Sequence, residues 1–89
     1  MDERQTSYEA IVRADIAIEI MNKARGLVSE RVAALEADDP DEVETLRGKR
    51  RELLAIQNSI RVGDADRIEA VISKWGPRVR DIALFWEEL

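Results

Sequence analysis

The side chains able to do chemistry in this chain are few, and where they stand matters more than their number. None of the 89 residues is His or Cys, which removes the commonest general base and transition-metal ligand, along with thiol nucleophiles and disulfides. Carboxylates, Lys, Arg and Tyr8 are left. Three polar residues, Arg25, Arg50 and Gln57, stand where the spacing of a helical seam calls for leucine. A cation in such a seam must meet an anion or a partner surface, because its charge is otherwise taken from water without compensation. For Arg50 the edge carboxylates Asp15 and Glu19 are candidates within the chain. For Arg25 the alternative is a seam that splays beside Gly26. Seam polar residues often set register or partner choice at some cost in stability, so specificity is the role expected of all three.

Two charged clusters follow one another. Glu36, Asp38, Asp39, Asp41, Glu42 and Glu44 are acids concentrated around one Pro. They read either as a knob for a basic surface or as acids gathered to cap a helix and complement its dipole. The alternating ligands and central Gly of a calcium loop are absent, so no metal is expected. Arg47, Lys49, Arg50 and Arg51 come next, able to grip an anion or to pair with Glu44 and with acids on the preceding helix. Trp75, Phe85 and Trp86 place most of the aromatic content near the C-terminus. Phe85 and Trp86 are adjacent and point about 100° apart on a helix, so one fills a core and the other is free to anchor a partner.

These residues must be positioned by helices. Thr6 and Glu9 have capping-box spacing and no Pro intervenes before Pro40, which predicts a first helix over about 7–37. Ile11, Ala14, Ile18, Met21, Arg25, Val28, Val32 and Leu35 form one seam, and Val12, Ile16, Ile20, Ala24 and Leu27 a second stripe well around the helix. The helix is therefore apolar on two sides, and a single hairpin partner covers only one. At 1.5 Å per residue it is roughly 46 Å long, so the fold must be elongated. Asp39, Pro40 and Glu42 form a restart signal opening a second helix over about 40–62, with Val43, Leu46, Arg50, Leu53, Gln57 and Ile60 inward. Gly63 is expected to end it as a left-handed cap, with Asp64 starting the next. Ile68, Val71, Ile72 and Trp75 predict a third helix over about 65–75, stopping or kinking at Gly76–Pro77 and continuing or restarting over 77–88. The predicted fold is all-α: an elongated antiparallel bundle of three helices in a single domain, the third kinked or split at Gly76–Pro77.

Function classes narrow by exclusion. The formal net charge of −5 argues against phosphate-backbone binding, even though Arg78 and Arg80 after a Gly-containing turn invite the helix-turn-helix comparison. No apolar run is long enough to span a bilayer and the N-terminus is acidic and polar, making the cytoplasm the expected compartment. In size, helix content and an Arg-bearing long first helix the chain resembles the all-helical chorismate mutases, which hold a dianionic substrate with Arg and Lys. That resemblance implies Arg25, Arg31, Lys49 and Arg50 as the cations to mutate; no motif is matched residue by residue and no active site is carried over. Neither catalysis nor a cofactor is expected. The expected function is non-catalytic protein binding as a small regulatory or adaptor module, self-association into a homodimer being the first case. Ile16, Ile20, Arg25, Leu27, Arg50, Gln57, Phe85 and Trp86 are the candidate contact residues. The alternative is an acidic inhibitor of phage or plasmid type that occupies a nucleic-acid-binding surface of a cationic host protein.

Overall fold

The computed structural model describes the backbone from residue 3 and the side chains from residue 8 to the C-terminus. Four helices follow in order: α1 (Glu3–Leu35), α2 (Pro40–Asn58), α3 (Ala65–Arg80) and α4 (Ile82–Glu88). No strand occurs among the described residues. Among the described residues no helix is long and apolar enough to cross a membrane.

Helix α1 runs uninterrupted because nothing in it breaks a helix: it has no Pro and one Gly, and Ala recurs. It starts ahead of Thr6, so Thr6 lies inside the helix and does not cap it as its spacing suggested. At the other end, the amides of Asp38 and Asp39 donate to the Leu35 carbonyl and turn the chain. Asp39 is the cap expected: its carboxylate accepts from the Glu42 amide at 3.1 Å, with Pro40 in the first turn. Helix α2 then closes short of the predicted Val62. The Ser59 hydroxyl donates to the Ile56 carbonyl, and the Arg61 guanidinium donates to the carbonyls of Asn58 and Ile60. These side chains satisfy carbonyls that a left-handed Gly63 was expected to serve, and no Gly among the described residues has positive φ.

Asp64 caps α3 by accepting from the Arg67 amide. The next boundary is a correction. Helix α3 continues unbroken past Gly76 and Pro77, so the chain is not split there; it breaks at Asp81, which is extended (φ −126°, ψ 100°) and caps α4 by accepting from the amides of Ala83 and Leu84. Pro77 is exposed while Gly76 is buried, so the ring faces water and the residue without a side chain faces the packing. Asp81 offers competing carboxylate acceptors that a Gly-Pro pair lacks. The described residues thus form four helices, where three were expected.

Packing follows a spine. Helices α1 and α2 are antiparallel, as the cross-helix pairs Glu36 with Arg47, Ser29 with Arg50 and Arg25 with Gln57 require. Helix α3 runs in the same direction as α1, with Glu69 beside Arg13 and Gly76 beside Ile20. Helices α2 and α3 barely meet, so α1 carries both on separate flanks and the particle is long, 56 × 21 × 16 Å. The buried line on α1 is Ala14, Ala17, Met21, Ala24, Val28 and Val32. It lies between the two predicted stripes, taking members from each and adding Ala17, because the strip between two flanking contacts is the one both helices cover. Val43, Leu46, Leu53, Ile60, Ile68, Val71, Trp75, Val79 and Phe85 complete one contiguous core.

Candidate functional site

The seam cations are held inside the hairpin. Arg25 donates from Nη1 to Oε1 of Gln57 at 3.0 Å, and Gln57 passes its own amide hydrogen to Oδ1 of Asn22 at 2.9 Å. Arg50 donates to the Ser29 hydroxyl at 2.9 Å. The carboxylates Asp15 and Glu19 therefore do not serve Arg50, since they lie more than two helical turns along α1 from Ser29. Neither Arg25 nor Arg50 has an anionic partner among the described residues, and Nε of Arg25 is buried with no hydrogen-bond partner. What these three residues do is tie α1 to α2 in one register. A one-turn slip would separate every rung of the ladder.

The charged clusters are drawn into the same hairpin. Glu36 pairs with Arg47 at 3.3 Å, Arg51 with Glu44 at 3.7 Å and Lys49 with Glu52 at 3.9 Å, while Asp39 is spent as a cap. At the C-terminus, Phe85 is fully buried, edge-on to Trp75 with centroids 6.3 Å apart. Trp86 is half-buried, and the Arg31 guanidinium covers its ring at 4.2 Å. Leu27 is half-buried against the core. Of the candidate contact residues, Ile16 is exposed and Ile20 half-buried, and these two share one surface.

That surface is an open groove of about 720 Å³ between α1 and α3. Ile16 and Ile20 of α1 face Ile72, Gly76 and Val79 of α3 across its floor, with Glu19, Lys23 and Arg80 on its rim. Gly76 keeps the floor low: a Cβ there would stand in ordinary contact with Ile20, 3.7 Å away. The chain shelters the second stripe of α1 only toward its C-terminal half, where Ala24 is buried and Leu27 packs on the core. Further up the helix, Val12 and Ile16 are each 38% exposed and Tyr8 is 69% exposed. Compared with known protein families, with curated proteins and with solved structures, the chain matches none. Function has to be read from the groove itself.

Beyond the groove's end, beside a second hollow, an ion pair joins α1 to α3. Arg13 of α1 grips Glu69 of α3 through two hydrogen bonds of 2.8 and 2.7 Å. The hydrogen-bonded guanidinium holds the Glu69 carboxyl below the usual glutamate range, and the same bond raises Arg13. The sequence carried no signal for this contact, because residues so far apart along the chain meet only once the α2 excursion has returned α3 to the top of α1. The floor residues Ile72 and Val79 were visible as helical spacing, but the face of α1 that they meet was not.

Proposed function

We propose that this protein is a non-catalytic, regulatory or adaptor-type protein-binding module that works through the α1–α3 groove, with a further copy of itself as the first partner to consider. The observation that supports the reading is the unsheltered apolar face of α1, from Tyr8 to Ile20, running into a groove whose floor is apolar and whose rim is charged. Exposed apolar surface that is contiguous and rimmed by charge is the composition of a binding face. An extended opening of this kind fits a helix laid lengthwise better than an enclosed small molecule, which needs walls on most sides. The groove's ionisable residues, Glu19, Lys23 and Arg80, stand on its rim, and the seam arginines are committed to Gln57 and Ser29.

The experiment is affinity capture with the wild-type chain and with Ile16→Asp, each at low and at high salt. A partner seated in the groove persists at high salt and is lost with Ile16→Asp. A partner held by the exposed acids around Asp38 to Glu44, as the inhibitor alternative requires, releases at high salt and ignores the substitution. If neither self-association nor any captured protein depends on Ile16, the groove is not the working surface.

A further inference from the structure

We propose that the groove is closed by a second copy of this chain, α1 lying antiparallel against α1 about a two-fold axis at Ile16. This rests on the reading of the groove as a protein-binding face and names its occupant. In such a pairing, residues equally far on either side of Ile16 face each other across the interface. Glu9, Ile16 and Lys23 fall within about 20° of one line along α1, and Val12 and Ile20 lie about 40° to either side. Ile16 thus meets its own equivalent, Val12 interleaves with Ile20 of the second copy, and Glu9 meets Lys23 of the second copy at both ends.

Charge makes the match specific to a second copy. The groove carries two cations against one acid at one end, Lys23 and Arg80 beside Glu19, and neither cation is in a salt bridge among the described residues. Past the other end of the groove, about two turns before Ile16 along α1, stands Glu9, at the edge of a second hollow. A surface whose charge reverses sign from end to end about an apolar middle is complementary to itself when turned end for end. The two-fold also sets both α3 helices on the same side of the α1 pair, so Ile72 and Val79 of each copy turn toward a shared four-helix core.

Two terms oppose the pairing. Each copy carries −5, but screening over about 8 Å at physiological salt limits that repulsion to the contact zone. Within that zone, the two Glu19 side chains come closest, about 9 Å apart along the axis and on the wet rim. The face is roughly 22 Å long and two helices wide, about 20 Å, which is smaller than the roughly 800 Å² per partner of a standard interface. Micromolar affinity is expected.

Because the chain has no Cys, single cysteines report the geometry. Ile16→Cys should oxidise rapidly to a covalent dimer, whereas Val12→Cys should not, since its equivalents lie about 12 Å apart along the axis, beyond disulfide reach. Glu9→Lys alone and Lys23→Glu alone should each weaken self-association about tenfold, the scale of two rim ion pairs turned repulsive. The double variant should regain it, and mixing the two single variants should yield a heterodimer. Equal oxidation at positions 12 and 16, or no recovery in the double variant, overturns this pairing. If no covalent dimer forms while an Ile16-dependent contact with another protein persists, the second copy is excluded as occupant and the protein-binding reading stands. Loss of both removes both.

Discussion

At the scale of single residues, the arginines in the α1–α2 seam are held by neutral partners. Breaking one rung should therefore cost more than removing the whole rung. Gln57→Leu leaves the half-buried Arg25 guanidinium without its acceptor and should cost about 1 kcal/mol, the usual scale for a stranded donor. Arg25→Met combined with Gln57→Leu removes donor and acceptor together and should return stability to within about 0.5 kcal/mol of wild type. Urea unfolding of both variants at one fixed protein concentration checks this, and a double variant less stable than Gln57→Leu alone contradicts it. Glu69 supplies a second residue-level test. Its folded-state pKa is lowered by Arg13, so the stability it lends is present above the ordinary glutamate range and fades as pH falls through the lowered value. The carboxyl resonance of Glu69 should titrate below other glutamates, and Arg13→Gln should bring it back to the ordinary range.

At the scale of elements, caps and glycines make separable contributions. Asp39→Ala should destabilise by about 1 kcal/mol through loss of the α2 cap. Gly26 is exposed within α1 and an added Cβ there would meet nothing within 4 Å, so Gly26→Ala should stabilise by about 0.8 kcal/mol. Thermal unfolding followed by circular dichroism reads both, with shifts of opposite sign. Signals such as Asp39–Pro40 and Asp64 were legible in the sequence because a cap is a local event, decided by a side chain and an amide three residues on. The Gly76–Pro77 pair misled for the same reason. Its local preference for a break was outweighed by packing, Gly76 being buried beside Ile20 and Pro77 turned to water, while the quieter Asp81 did the capping. The buried line through Ala17 was not legible, since it depends on two helices flanking α1 at once. In the groove, Ile16 and Ile20 belong to a stripe visible from periodicity, but the α3 wall opposite them requires the tertiary return. Arg25, Arg50 and Gln57 stood out correctly as seam residues, and the structure directs their hydrogen bonds inward across the hairpin.

At the scale of the whole molecule, the long spine decides the rest. A helix of 33 residues outruns α2 and α3, each of which covers part of one flank, and its outer face from Tyr8 to Ile16 is left to water. The account's central claim is that this face is covered by another polypeptide, a second copy first of all. Sedimentation equilibrium over about 10 to 200 µM tests it most directly, a range in which micromolar self-association is visible. The account predicts a mass rising toward twice that of the chain for wild type, and the single-chain mass with unchanged helicity for Ile16→Asp. A wild-type chain that keeps its single-chain mass across the whole range, or an Ile16→Asp variant that associates as well as wild type, contradicts it.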